Sequence, residues 1–337
     1  MREAPMIQAI AKRELMVLDG LGVRLQGTYH RPAGGLSVAS GAGDRVGILF
    51  VNSLSLPRAA SGDSAVHWAD AMAMQGYPTF RIDLPGLGDS AGNASTDLLD
   101  RINGGEFASV TTAVMKEIVS RFELSGLVVF GHCAGSVSAV YAGSATSECR
   151  GLILLDPYFH LPQAKRPRLR EELSGWARRS KVGGLLSNLY DRTKKVSMRL
   201  RGGGPPGNAN LQLLARWKQV ATAGMPVLLL KAPGIKAQGT KPRVGEFDYI
   251  DHVMKLAGRR NRVSAEFVKG ADHSFANRAG REAVRKHIAD WLAVHFPLAD
   301  FGARNKSNAA LRARKDSNES DESQTAAEGQ YCAVEGR

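Results

Sequence analysis

The sequence predicts an α/β fold: a mostly parallel central sheet flanked by helices, with one basic helical insertion. Two observations carry the sheet. Unbroken apolar runs of strand length recur at residues 46–51, 127–130, 151–156 and 225–231, and such runs are the composition of strands buried on both faces. Between them lie segments of helical length and amphipathic period, the alternation that builds a parallel sheet with helices on its faces. A third observation marks the interruption: across residues 159–210 the apolar runs stop, and twelve Lys and Arg face only Glu171, Glu172 and Asp191.

In chain order, residues 15–18 and 23–29 are two strand-like stretches joined by Asp19-Gly20-Leu21-Gly22, a hairpin signal. A Gly- and Ser-rich loop at 34–44 leads to the strand at 46–51, which ends in Asn52-Ser53-Leu54. An amphipathic helix follows at 65–75, then a strand at 79–83 that runs into Leu84-Pro85-Gly86-Leu87-Gly88-Asp89-Ser90. Gly86-x-Gly88-x-x-Ala91 has the spacing of a dinucleotide loop, but Pro85 and Gly92-Asn93 prevent a helix from opening there, so that reading is set aside. Asp83 is read as ordering this glycine-rich turn.

A helix at 106–122 precedes the strand at 127–130, and the small residues of 134–144 predict a helix packed closely on the sheet. The strand at 151–156 is closed by Pro157. In the insertion, Leu169, Leu173, Trp176, Leu185, Leu186, Leu189 and Tyr190 recur at helical spacing, predicting one or two amphipathic helices. Gly202-Gly203-Gly204-Pro205-Pro206-Gly207 then reads as a hinge. The strand at 225–231, a helix at 249–257, a strand at 263–268 and an amphipathic helix at 281–296 complete one domain, 1–301. Residues 302–337 turn to Asn, Ser, Glu, Asp, Lys and Gly, the composition of a disordered tail.

At 337 residues, 43% hydrophobic and 23% charged, the chain has an ordinary globular composition. No apolar run approaches the roughly 20 residues of a membrane span. Charge interrupts the N-terminus too early for a secretory h-region, so a cytoplasmic protein is expected. The net charge of +13 comes largely from the insertion, with no nucleic-acid-binding motif. Cys133, Cys149 and Cys332 are too few for a disulfide framework, and no Cys/His spacing suits a metal, so neither metal nor cofactor is expected.

The chemistry centres on Gly131-His132-Cys133-Ala134-Gly135, between the 127–130 strand and the 134–144 helix. Small residues at 131 and 135 allow the sharp strand-to-helix turn that presents a nucleophile, here with sulfur in place of a hydroxyl. A free thiol is only a few per cent ionised at pH 7, and a neighbouring imidazole together with a helix N-terminus raises the thiolate fraction. His132 is read as packing the turn, and Cys149 and Cys332 as inert.

With Asp83-Leu-Pro-Gly86-Leu-Gly88-Asp-Ser90 after a strand and Gly270-Ala-Asp-His273-Ser-Phe before the last helix, the chain resembles the α/β-hydrolase superfamily over about residues 13–297. The order of elements fits the α/β-hydrolase fold, with residues 159–210 as a helical basic lid. The resemblance implies Cys133 as nucleophile, His273 as base and an oxyanion hole from the N–H groups of Ala134 and Leu54, with the side chains of Asn52 or Ser53 as further candidates. It also implies an acid soon after the 225–231 strand, where the loop 232–245 carries none. Gly245-Glu246-Phe247-Asp248 resembles the usual acid motif, which makes Asp248 the first expectation, Glu246 the second and Asp156 the third. The expected activity is hydrolysis of a small ester or thioester through an acyl-cysteine, the basic lid leaving anionic and carrier-linked substrates open. Acyl transfer to another nucleophile and a binding module without catalysis are the alternatives. The glycine-rich turn and the His273 motif also resemble hydrolases of exosortase and exopolysaccharide systems, and the elbow resembles that of polyester synthases.

Overall fold

The structure, a computed structural model, describes residues 11–33, 45–51, 53–93, 95–161, 205, 207–232, 248–258 and 262–298. The eight strands are β1 (Arg13–Gly20), β2 (Val23–His30), β3 (Val46–Val51), β4 (Thr79–Ile82), β5 (Gly126–His132), β6 (Cys149–Leu155), β7 (Val227–Lys231) and β8 (Val263–Phe267). They form one sheet in the order β1-β2-β4-β3-β5-β6-β7-β8. β1 and β2 make the antiparallel hairpin, β2 runs antiparallel to β4, and all other pairs are parallel.

Burial follows from this order. β3 and β5 lie in the middle and are buried at every position, which is why VGILFV and GLVVFGH contain no alternation. β1 lies at an edge and alternates, Met16 and Leu18 facing in while Leu15 and Val17 face solvent. The helices are α1 (Ser64–Gln75), α2 (Leu98–Asn103), α3 (Ala108–Arg121), α4 (Ala134–Gly143), α5 (Leu211–Thr222), α6 (Tyr249–Ala257) and α7 (Arg278–His295). The chain divides into Met1–Trp291, which holds the sheet, and Leu292–Arg337, of which the described part begins with the end of α7.

α4 is buried along its whole length, and its small side chains allow that depth. Two helices escaped the sequence reading, α2 and α5. The signal for α5 was present: Asn210 accepts a hydrogen bond from the Leu213 N–H at 3.0 Å as N-cap, and Leu213, Leu214, Trp217, Val220 and Ala221 bury one face.

The expected insertion begins and ends at one place. The Leu161 N–H donates to the Asn208 carbonyl (2.7 Å), and the Asn210 N–H donates to the Phe159 carbonyl (3.0 Å) around a bridge between His160 and Ala209. The helices expected at 169–190, the expected lid itself and the tail at 302–337 lie outside the described residues.

Candidate active site

The site forms where the parallel strands end. Cys133 follows β5 and precedes α4, and its backbone takes φ 51°, ψ −113°, off the normal region for a side chain with a Cβ. Gly131 makes the turn feasible, because a Cβ there would collide with the backbone of Gly135 and Ser136. The Cys133 N–H donates to the Leu155 carbonyl at 2.8 Å, tying the turn to the end of β6. Asp156, the next residue, also has positive φ (47°), as does Leu54 beyond β3 (48°). Three adjacent strand ends thus share a conformation that costs on the order of 1 kcal/mol or more per residue.

His273 reaches this edge from the loop after β8. Asp272 shapes that loop by accepting from the Phe275 N–H (2.9 Å) and the Ser274 hydroxyl (2.6 Å), while Phe275 is buried beneath it. One ring nitrogen of His273, Nδ1, donates to Asp156 Oδ2. The ring also hydrogen-bonds the Cys133 side chain. Thiol, imidazole and carboxylate therefore form one hydrogen-bonded chain.

The acid on His273 is Asp156, ranked third from the sequence, and not Asp248. Asp248 is the N-cap of α6, its carboxylate accepting from the Asp251 N–H at 3.0 Å. Its spacing to the next helix is what made it resemble an acid motif. Glu246 and Asn52 lie outside the described residues. Asp156 can take the place because β6 and β7 are neighbours, Leu155 beside Leu230, so carboxylates from either strand end reach the same region.

Burial alone would raise the Asp156 carboxyl, but His273 and Lys231 hold it below the usual range. Its hydrogen bond to Asp156, then that to Cys133, raises the His273 imidazole to about 10 against the opposing effect of burial. The ring is 60% exposed, so water screens part of this effect. His273 is a protonated imidazolium near neutral pH.

Three neighbours escaped a catalytic reading from the sequence. Lys231 ends β7 and ion-pairs with Asp156 Oδ1. His132 donates from Nε2 to the His273 carbonyl at 2.7 Å, and burial pushes its own titration down to about 4, so it is a neutral latch on the His273 loop. Tyr158, two residues beyond Asp156, carries a buried hydroxyl without a hydrogen-bond partner. A charge on Cys133 acts on this phenol, whose titration burial raises.

Ala134 is the first residue of α4, so its N–H has no partner inside the helix. Leu54 lies in the turn after β3, closed by the Leu56 N–H donating to the Ser53 carbonyl at 3.0 Å. The register pairs Val51 with Gly131, so this turn and the elbow follow neighbouring strand ends. Asp83 holds the far end of the turn, accepting from the Arg58 N–H (2.6 Å) and its guanidinium. Gly88 packs against the Asp83 carboxylate where a Cβ would not fit, and no helix opens in that loop. Among the described residues no three His, Cys, Asp or Glu side chains converge as metal ligands, and no helix is long and apolar enough to cross a membrane.

Comparisons with known proteins bear on the fold. Residues 51–182, from the end of β3 through the elbow, match the family model described as alpha/beta hydrolase fold. No curated protein matches the sequence. Among solved structures, the Pyrococcus furiosus esterase Pf2001 is similar with a TM-score of 0.54 at 14% identity, over 85% of this chain and 93% of that one. The alpha/beta hydrolase GrgF from Penicillium sp. sh18 gives 0.52 at 14% identity, over 85% of this chain and 100% of that one. DcsB, solved with its substrate analogue, gives 0.54 at 14% identity, over 85% and 99%. At such identity the likeness speaks to architecture, and together with the sheet order and the strained cysteine turn it establishes that this chain has the α/β-hydrolase fold.

Proposed function

We propose that the protein is an ester or thioester hydrolase that works through an acyl-cysteine on Cys133. The observation that carries this reading is the hydrogen-bonded chain from the Cys133 side chain through His273 to Asp156. His273, oriented by the neighbouring carboxylate, takes the Cys133 proton to give the reactive thiolate–imidazolium pair. The thiolate attacks the carbonyl carbon, and the carbonyl π-electrons move to oxygen. The N–H groups of Ala134 and Leu54 donate hydrogen bonds to that developing oxyanion. As the tetrahedral intermediate collapses, the bond to the leaving group breaks and His273 gives that group its proton. Neutral His273 then takes a proton from water, hydroxide adds to the thioester, and expulsion of sulfur restores the ion pair and frees the acid. Asp156 keeps the ring oriented throughout.

Residues 159–210 serve in this reading as a lid that selects the acyl group. Their positive charge favours anionic or carrier-linked substrates. The sulfur itself supports a second reading, transfer to an amine, thiol or alcohol, because a thioester yields to these more readily than an oxyester does.

The test is intact-mass analysis after incubation with a panel of acyl thioesters and activated esters. A single acyl adduct on Cys133, released by water, is the expected result. An adduct that also forms on Cys133→Ala, or none across the panel, overturns the proposal. Release that speeds up with an added nucleophile and yields its acyl derivative selects transfer.

A further inference from the structure

The buried carboxylate of Asp156 serves two cations. His273 takes Oδ2 and the Lys231 ammonium takes Oδ1. The carboxylate is only 7% exposed, whereas Lys231 keeps about a third of its side-chain surface. The sheet brings them together: Lys231 ends β7, Asp156 follows β6, and the Asp156 N–H donates to the Leu230 carbonyl at 2.6 Å.

A charge count shows what this adds. In the ion-pair form of the proposed mechanism, thiolate, imidazolium and carboxylate sum to minus one, and Lys231 brings the sum to zero. With one oxygen held by the ammonium, the carboxylate cannot rotate both oxygens away from His273. We propose that Lys231 is a positioning residue of this site, fixing the rotation of Asp156 and restraining its pull on the His273 proton. The catalytic meaning rests on the function proposed above, but the effect on His273 can be read without turnover.

Among the described residues, four side chains besides these two bear on the His273–Asp156 pair: Cys133, His132, Tyr158 and Lys231. Cys133 and Asp156 bond the ring, and the neutral His132 ring lies 5.3 Å from it, centroid to centroid. The Tyr158 phenol, which burial keeps protonated, lies near Cys133. Lys231 stands on the far side of the carboxylate, where its charge also contributes to holding His160 low, after burial. Among the described residues that act on this group, Lys231 is the permanent cation. A nearby positive charge opposes protonation of His273, so removing it lets the ring hold its proton to higher pH.

The experiment is an NMR titration of the His273 ring in the full chain, comparing wild type with Lys231→Met and Lys231→Arg, the resonance assigned by its loss in His273→Gln. Lys231→Met is expected to raise the proton affinity of His273 about tenfold, while Lys231→Arg leaves it near wild type. Lys231→Gln, with thermal unfolding followed alongside, replaces the methionine variant if that one does not fold. An unmoved or downward-shifted titration in a folded charge-removing variant overturns the inference. Acyl loading of the same samples separates the two proposals. A moved titration without any wild-type acyl-enzyme sinks the hydrolase reading alone, and normal acylation with an unmoved titration sinks the role of Lys231 alone.

Discussion

Two His–Asp pairs among the described residues are built for opposite ends. In one, His30 Nδ1 donates to Asp70 at 2.7 Å, and Nε2 accepts from Arg81 Nε at 2.8 Å. A guanidinium only donates, so this imidazole is held neutral by its partners, and burial first of all lowers its titration. Although burial opposes it, His30 and Arg13 hold Asp70 down to about 2, and burial followed by the charge of Arg58 lowers Arg81 to about 10. In the other pair His273 also gives Nδ1 to a carboxylate, but its other bond goes to a thiol, which can either donate or accept. A carboxylate beside an imidazole does not make a proton-transfer site. What decides is whether the group on the remaining nitrogen can exchange a proton, and whether the ring reaches the surface: His30 is fully buried and His273 is 60% exposed.

The hardest test of this contrast removes the exchanging partner. Cys133→Ala leaves His273 with nothing to exchange with, and turnover should fall by about 10⁴-fold or more while the fold persists, read by acyl loading and thermal unfolding. Asp156→Asn should follow, with a loss of about 10²–10⁴-fold, the lower figure applying because a thiolate depends on the acid less than a serine does. In the same assay Asp248→Ala should leave turnover within about twofold and cost about 1 kcal/mol of stability through the lost cap. If Asp248→Ala were the more damaged of the two, the assignment of the acid would be wrong.

His30→Gln should do the reverse of the triad variants. It should cost about 1–3 kcal/mol by leaving buried partners of Arg81 and Asp70 poorly matched, with acyl loading intact. The two pairs also oppose each other in pH. The titration of His30 is lower in the fold than its ordinary 6.5, so acidification below that value protonates the unfolded chain first and stability falls. That of His273 is higher, about 10, so its contribution is complete below 6.5 and is lost as pH rises through 10. Urea midpoints across pH should therefore show a shallower acid-side slope in His30→Gln, with His132, His160 and the carboxylates supplying the remainder, and a shallower alkaline-side slope in His273→Gln. The reverse assignment of slopes would refute the contrast. The smallest effect on stability belongs to Tyr158→Phe. Because its hydroxyl has no partner, the melting temperature should hold or rise slightly, and a clear drop would show that the hydroxyl is bonded.

Most of the fold was legible because strands buried on both faces leave uninterrupted apolar runs and Gly, Pro and Asp mark their ends. α5 was less legible although Asn210 marks its start, because its amphipathic period directly follows the basic stretch and the glycine-rich break at 202–207. The strand-to-helix turn at Cys133 was legible because its backbone demands a residue without a Cβ at 131. The acid was not, for a physical reason: a linear pattern says that a carboxylate follows a strand, while pairing with His273 depends on which strand ends are neighbours. β6 and β7 are adjacent, so both positions are geometrically open. Asp-x-x-Asp at 248–251 is equally a helix start, and that use is the one Asp248 serves. Lys231 looked like the polar end of a strand, and only the sheet shows what it faces.

The doorway at Phe159 and Asn210 has an evolutionary consequence. Asn210 bonds Phe159, caps α5 and donates to the Asn103 carbonyl at 3.0 Å, so the returning chain is pinned to the scaffold independently of what precedes it. The entropy of closing such a loop grows only logarithmically, about 0.6 kcal/mol for each doubling of length. Selection can therefore lengthen, shorten or rewrite residues 162–204 while the thiol, imidazole and carboxylate stay where the sheet puts them. Under the proposed function, substrate range and chemistry would thereby be heritable as separate traits on one chain.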